Sequence, residues 1–248
     1  MTAPSVLDAA SGRRLAYHRT PGAGPGVVVL GGFRSDMEGT KALHLEAWAR
    51  ARGRAFLRFD YSGHGRSSGR FEDGAIGDWA EDALAAIEAL TEGSQILVGS
   101  SMGGWIALLV ARALPDRIAG LVGIAAAPDF TATMEAALTE ADRSDLAAHG
   151  RIERPTDYAP EPYVFTRRLF EDGRRNRVLD APLHLPFPVR LLQGTADTDV
   201  DLAVALRLLD HATGPDIRLT LVKGADHRFS SPACLALIER SVEEISGT

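Results

Sequence analysis

The sequence predicts an α/β protein: a mostly parallel eight-stranded sheet with helices on both faces and a small helical cap inserted after the sixth strand. Short, wholly apolar runs alternate with stretches of helical periodicity, which is typical of β-α-β units with right-handed crossovers. The alternation lapses between residues 128 and 188 and then resumes. The 248 residues are enough to bury the core of one domain of this class.

The elements follow from the hydrophobic pattern. An antiparallel hairpin opens the chain, with strands over residues 5–9 and 14–18 around the Ser11-Gly12 turn. The run at 27–30 is apolar throughout, which indicates a strand buried on both faces. The later predicted elements, in order, are helix 40–51, strand 54–59, helix 76–90, strand 95–98, helix 105–113, strand 118–125, strand 189–193, helix 200–211, strand 217–222 and helix 232–245.

The segment 129–186 differs from the rest of the chain. It contains several prolines, acidic helical stretches and few strand signals, and it is too long for a plain loop in a compact domain. We therefore expect a helical cap inserted into a core domain formed by 1–128 and 187–248, with one domain overall. Within the cap, Arg174, Arg175 and Arg177 form either a solvated helix face or a surface that attracts an anionic leaving group.

Composition limits the partners. The formal net charge of −6 argues against nucleic acid or an anionic membrane surface as the main partner. No apolar run approaches the length of a membrane span, and residues 1–6 lack the features of a signal peptide, so a cytoplasmic location is expected. The single cysteine, Cys234, excludes an internal disulfide and fits a small apolar residue at a helix start. No Cys/His spacing resembles a zinc site, and no metal or organic cofactor is expected. The oligomeric state is not indicated.

One pentapeptide carries most of the chemical information. Gly99-Ser100-Ser101-Met102-Gly103 joins a predicted strand to a predicted helix. Such a strand, G-x-S-x-G, helix arrangement lifts the serine hydroxyl above the carboxyl edge of the sheet, and the glycines permit close approach of strand and helix. The helix that begins there directs free N–H groups and the positive end of its dipole at an anion forming on the serine. Ser101 is therefore the candidate nucleophile.

A serine hydroxyl needs a base, and the base needs an orienting acid. The loops at the carboxyl edge of an open parallel sheet line the site, so both groups are sought after the last two strands. Asp197 follows the seventh predicted strand and His227 follows the eighth. We therefore predict Asp197 as the acid and His227 as the base.

Other residues compete for these roles. Asp199 and Asp201 are close alternatives for the acid, and Asp129, past the sixth strand, is a remoter one. An N-cap role ahead of the 200–211 helix would suit Asp199. His64 lies in a glycine-rich turn near the site, where a structural histidine is the favoured interpretation.

The anion formed on attack requires two hydrogen-bond donors. One is the backbone N–H of Met102, the residue after the nucleophile. The other is predicted in the loop Gly31-Gly32-Phe33, as the N–H of Phe33, unless the two glycines merely form a tight turn. Losing one such donor costs about 3–4 kcal/mol of transition-state stabilisation in comparable sites.

Five stretches resemble a known superfamily. These are Gly32-Phe-Arg-Ser-Asp-Met-Glu-Gly-Thr-Lys-Ala42, Arg58-Phe-Asp-Tyr-Ser-Gly63, Ile96-Leu-Val-Gly-Ser-Ser-Met-Gly-Gly-Trp105, Arg190-Leu-Leu-Gln-Gly-Thr-Ala-Asp197 and Asp226-His-Arg228. They are similar to the α/β-hydrolases, and more closely to the mitochondrial acyl-protein (palmitoyl) thioesterase and acyl-glucuronide esterase branch and its bacterial relatives. They cover most of the core and almost none of the cap. The resemblance implies the α/β-hydrolase fold, with the nucleophile, acid and base on Ser101, Asp197 and His227.

Two positions depart from that pattern. Gly31 stands where many relatives carry His or Pro, and Gln193 where His is common before the acid loop. Neither departure removes a catalytic group, and both are expected to affect the shape of the acyl pocket.

The residues together predict a serine hydrolase acting on a small-molecule carboxylic ester or thioester through an acyl-enzyme. We expect a short or medium acyl chain in a pocket roofed by residues 129–186; thioesterase-like specificity is implied by the resemblance alone. One alternative is a lyase or perhydrolase that uses the same triad. Another is a catalytically silent binding protein, which should lack a triad member.

Overall fold

The computed structural model describes residues 3–156 and 158–247. Met1, Thr2, Asp157 and Thr248 lie outside the described residues. The first two belong to the segment 1–6, for which the sequence predicts no signal peptide. Within the described ranges, no helix combines the length and the apolar character needed to cross a bilayer.

The elements alternate as the hydrophobic pattern indicates. In chain order the strands are β1 (Ser5–Asp8), β2 (Arg14–Thr20), β3 (Ala23–Leu30), β4 (Arg54–Phe59), β5 (Gln95–Ser100), β6 (Ile118–Ile124), β7 (Arg151–Arg154), β8 (Tyr163–Thr166), β9 (Leu183–His184), β10 (Val189–Gly194), β11 (Ala212–Thr213) and β12 (Ile217–Val222). The helices are α1 (Thr40–Ala51), α2 (Ile76–Leu90), α3 (Met102–Ala113), α4 (Phe130–Ala136), α5 (Glu140–His149), α6 (Arg167–Arg175), α7 (Leu202–His211) and α8 (Pro232–Ser246).

The main sheet has eight strands in the order β1-β2-β4-β3-β5-β6-β10-β12. The pairs β1/β2 and β2/β4 are antiparallel, and every other neighbouring pair is parallel. This confirms the predicted fold class. The chain passes from β3 to one side of the sheet for β4 and to the other side for β5, and such a switch point opens a crevice at the carboxyl ends of the strands.

The two faces of the sheet are covered by different helices. In β3, Val28 and Leu30 join a cluster with residues of α2 and α3, whereas Val27 and Val29 join a second cluster with α1 and α8. This alternation is the two-residue period of a strand, and because both faces are buried at residues 27–30, that part of β3 is wholly apolar. Each fully buried aliphatic side chain contributes roughly 1.5–3 kcal/mol of hydrophobic stabilisation.

The segment between β6 and β10 contains α4, α5 and α6, and also an antiparallel hairpin of β7 and β8. The sequence has few strand signals here, and the hairpin is an element that it did not indicate. The hairpin forms because Ile152 and Phe165 bury their side chains against the core cluster. The division into a core of 1–128 and 187–248 and a cap of 129–186 stays a prediction.

The arginine cluster of this segment pairs with neighbouring carboxylates. The ion pairs are Arg174 with Glu135, Arg175 with Asp172 and Arg177 with Asp180. None of the three arginines lines the large cavity described below. The arrangement therefore favours a solvated helix face over an anion-attracting surface.

Candidate active site

Ser101 lies on the tight turn between β5 and α3. Its backbone has φ 55° and ψ −120°, a left-handed conformation that costs a non-glycine residue of the order of 1–3 kcal/mol. Two hydrogen bonds hold the turn: Ser101 N–H donates to Ile124 (2.9 Å), and Ala127 N–H donates to the Ser101 carbonyl (3.1 Å). A Cβ on Gly103 would overlap the carbonyl of Leu30 in β3, so that residue must be glycine for α3 to pack this closely.

The structure brings Ser101, His227 and Asp197 together at the carboxyl edge of the sheet. His227 Nε2 lies 3.1 Å from Ser101 Oγ, and His227 Nδ1 lies 2.9 Å from Asp197 Oδ2. These residues follow β5, β12 and β10, which are parallel and therefore end at the same edge. With Nδ1 protonated, Nε2 is free to accept the serine proton.

Asp197 is held by several donors. Its side chain is 1% exposed. Its Oδ1 accepts the backbone N–H groups of Asp199 and Val200, each at 2.9 Å, and its Oδ2 accepts from His227 and from Gln193 Nε2, also at 2.9 Å. Burial acts to raise the pKa of Asp197, but hydrogen bonds from His227 and Val200 outweigh it and leave the pKa below its ordinary value. The carboxylate is therefore ionised at neutral pH.

The alternative acids have other functions. Asp199 accepts a hydrogen bond from the Tyr158 hydroxyl at 2.5 Å, and Asp201 caps α7 by accepting from Ala203 N–H at 2.8 Å. The N-cap is thus Asp201 and not Asp199, because the helix begins two residues later than the sequence indicates. Asp129 is buried and accepts the N–H groups of residues 178 and 179, which fastens the end of α6 and the chain after it to the loop after β6.

His64 is a buried structural residue. Its ring packs edge-on against Tyr61, Phe71 and Trp79, with centroids 5.0–5.5 Å away. Burial lowers the pKa of His64 to about 4, so the imidazole is neutral at physiological pH.

Phe33 and Met102 both line the cavity beside Ser101. Met102 is the first residue of α3, where a helical N–H has no intrahelical acceptor. The N–H of Phe33 donates to no backbone acceptor among residues 3–156 and 158–247. The Phe33 ring stacks on Phe165 of β8 with centroids 5.0 Å apart, and it meets Phe71, Trp79, Phe130 and Tyr163 edge-on.

A cavity of about 1040 Å³ opens at the serine, between the sheet edge and the segment that follows β6. Its apolar lining includes Phe33, Phe130, Met134, Tyr163 and Phe165. A volume at the upper end of the range for small-molecule sites provides room for an acyl chain and part of a leaving group.

Lys41 and Tyr158 also line the cavity, and sequence reasoning did not single them out. The Lys41 ammonium donates to the carbonyl of Arg228 (2.5 Å), directly after the histidine, and burial lowers the pKa of Lys41 to about 8. The Arg228 guanidinium lies 5.0 Å from the centre of the Tyr158 ring. These contacts join residues 70–187 positions apart, so no local pattern could have indicated them.

The sheet order, the strained serine turn and the carboxyl-edge cluster are those of an α/β hydrolase. The α/β-hydrolase fold family matches residues 40–152. The chain belongs to the α/β-hydrolase family, and it is an enzyme of the hydrolase class.

Within the family the chain is similar to one curated group. It is 34% identical over 245 residues to the mitochondrial palmitoyl-protein thioesterase ABHD10 of Bos taurus, which covers 98% of this chain and 80% of the relative. A putative hydrolase from Agrobacterium vitis S4 superposes with a TM-score of 0.93 at 42% identity, over 99% of this chain and 98% of that one. Mouse alpha/beta hydrolase domain-containing protein 10 gives a TM-score of 0.91 at 33% identity, over 98% of each chain. The expected resemblance is confirmed.

The expectation of a cytoplasmic location is wrong. The curated relatives from cattle, rat, mouse and human are all named as mitochondrial proteins, and this finding contradicts the expectation. The expectation rested on the absence of a leader and of a long apolar run, and such absences do not specify a compartment.

Proposed function

We propose that this hydrolase cleaves carboxylic thioesters and esters through an acyl-enzyme on Ser101, with His227 as the base and Asp197 as the orienting acid. The observation that carries the proposal is the continuous hydrogen-bonded chain Ser101 Oγ, His227 Nε2, His227 Nδ1 and Asp197 Oδ2, with contacts of 3.1 and 2.9 Å. The names of the thioesterase relatives support the thioester as the preferred substrate.

The acylation step follows from these positions. Ser101 Oγ attacks the carbonyl carbon while its proton passes to His227 Nε2, and the carbonyl electron pair moves onto the oxygen. The N–H groups of Phe33 and Met102 are the proposed donors to this oxyanion. When the tetrahedral adduct collapses, the C–S or C–O bond breaks and His227 protonates the departing thiolate or alkoxide.

Deacylation reverses these roles with water. His227 takes a proton from water, the resulting hydroxide adds to the acyl carbon, and the bond to Ser101 Oγ breaks as the proton returns to the serine. Free acid is the product. The apolar cavity lining suits a short or medium acyl chain, and the cleft around Tyr158 and Arg228 suits the leaving group.

Labelling with a fluorophosphonate tests the nucleophile. The native enzyme should take up one label, Ser101→Ala should take up none, and Ser100→Ala, the adjacent serine, should still be labelled. Label retained in Ser101→Ala would contradict the proposal.

Product analysis tests the reaction class. With water as the only acceptor, release of free acid supports hydrolysis, whereas no acid release would favour a lyase or perhydrolase that uses the same residues. A matched series of thioesters and oxoesters of graded chain length, compared by kcat/KM, then defines the substrate. A higher kcat/KM for each thioester than for its oxoester is the expected result.

A further inference from the structure

Gln193 is a polar side chain buried beneath the candidate site. It is the fifth residue of β10 and is 1% exposed. The chain contains two glutamines, Gln193 and Gln95, and both are buried. Gln193 does not line the cavity, so the expectation that it affects the shape of the acyl pocket is not supported.

The amide of Gln193 has one allowed orientation. Its Nε2 lies 2.9 Å from Asp197 Oδ2, 3.2 Å from the Val200 carbonyl and 3.4 Å from the Gly194 carbonyl. All three partners are acceptors only. Turning the amide over would place its oxygen against three oxygens, so the NH₂ group must face Asp197.

The oxygen that Gln193 contacts is the one that faces His227. Asp197 Oδ2 accepts from His227 Nδ1 at 2.9 Å and from Gln193 at the same distance. The other end of the Gln193 amide, Oε1, is buried without a hydrogen-bond partner among the described residues.

We propose that Gln193 is a positioning residue: its fixed, uncharged N–H donor holds Asp197 Oδ2 in line with His227 and partly neutralises the charge that the imidazole faces. This inference rests on the proposed function and concerns the same site. The resemblance places His at this position in many relatives, and an imidazole can also donate one N–H. Gln differs because it cannot titrate, so the side chain beside Asp197 stays uncharged at every pH.

Removal of the donor has two expected effects. Gln193→Met keeps the length of the side chain but removes one hydrogen bond to Asp197. As a result kcat falls roughly tenfold, which is the loss expected for one hydrogen bond to a charged group. KM stays within about twofold because Gln193 does not touch the cavity. The less neutralised carboxylate also stabilises the imidazolium more strongly, so the acid limb of the kcat/KM profile moves to higher pH.

The control is Gln95→Met. Gln95 is equally buried, and its Nε2 donates to the carbonyls of Glu92 and Gly93 at the other end of β5. The Gln95→Met variant should have a lower melting temperature but the same kcat and the same acid limb of the kcat/KM profile as the native enzyme. Gln193→His, which restores a donor, should recover kcat to within about threefold of the native value.

The other charged and titratable groups around the pair are unchanged in these variants. They are Asp199 on the acid loop, Tyr158 from the segment after β7, and Asp226, Arg228 and Lys41 around the histidine. A shift of the acid limb can therefore be assigned to position 193.

The measurement is the pH dependence of kcat and KM for 4-nitrophenyl butyrate, together with the melting temperature. If Gln193→Met lowers only the melting temperature, as Gln95→Met does, the inference is wrong. If Gln193→Met does not fold, Gln193→Leu, which also removes the N–H donor and is similar in volume, replaces it. An unchanged kcat together with an unchanged acid limb in that variant would overturn the inference. Activity retained in Ser101→Ala would instead overturn the proposed function, so the two failures are distinct.

Discussion

Replacing Asp197 by asparagine is expected to lower kcat by about four orders of magnitude without unfolding the protein. The N–H groups of Asp199 and Val200 point at Oδ1, so the asparagine oxygen must occupy that place and its NH₂ must face His227 Nδ1. His227 Nδ1–H and the asparagine NH₂ group are both donors, so they cannot hydrogen-bond to each other. The imidazole hydrogen moves to Nε2, which can no longer accept the proton of Ser101, and the predicted loss corresponds to about 5.5 kcal/mol of activation free energy.

Gln193 cannot relieve this conflict by turning its amide, because the carbonyls of Gly194 and Val200 hold its NH₂. The assay is kcat for 4-nitrophenyl butyrate between pH 7 and 9, with circular dichroism to check folding. Asp201→Asn is the matched control: Asn caps a helix as well as Asp, so kcat should not change. A folded Asp197→Asn enzyme with more than a tenth of native kcat would refute the reasoning.

Three further predictions concern the surroundings of the site. Gly103→Ala should abolish fluorophosphonate labelling and lower the free energy of unfolding by about 2 kcal/mol or more, because the added methyl group would force β3 and α3 apart at Leu30. Unchanged labelling of the variant would contradict this prediction. The folded-state pKa of His64, about 4, lies below its ordinary 6.5, so between these values the unfolded chain binds one more proton and the free energy of unfolding falls as the pH is lowered. His64→Phe should remove about 3 kcal/mol of this pH dependence, measured by urea titrations at pH 7 and pH 4; an equal loss of stability in the native enzyme and the variant would exclude it. Lys41 has a folded-state pKa of about 8, below its ordinary value of 10.5, so the free energy of unfolding should rise as the pH increases from 8 to 10.5. Lys41→Met should flatten this rise, measured as the melting temperature at pH 7.5 and 10, and an equal rise in the variant would argue against the prediction.

Much of the core could be predicted because its signals are local. The helices Thr40–Ala51 and Ile76–Leu90 begin and end where their periodicity indicates. The turn around Ser101 depends on a glycine pattern within five residues. Parallel strands end at one edge, so chain order alone was enough to bring Asp197 and His227 to the same place.

The hairpin of β7 and β8 gave no such signal. Each strand has four residues, and the prolines at 155, 160 and 162 make the stretch between them look like a plain loop. Its strand character comes from pairing and from burial of Phe165 against Phe33, both of which are tertiary effects.

Interactions across long sequence separations were also hidden. Asp129 binds backbone groups about 50 positions away, and the role of Lys41 depends on a carbonyl near the opposite end of the chain. Gln193 is separated from Asp197 by only three residues, but its importance depends on which atom of the amide faces inward. Single-sequence patterns contain no such information.

Phe33 has a consequence for any attempt to change the substrate range of this enzyme. Its ring contacts the rings of Phe130, Tyr163 and Phe165, and its backbone N–H belongs to the loop beside Ser101. Remodelling those aromatic neighbours to fit a bulkier substrate would disturb the proposed anion-binding loop and reduce turnover for every substrate alike. Selectivity can be altered without that penalty at cavity positions outside this aromatic cluster, such as Thr133.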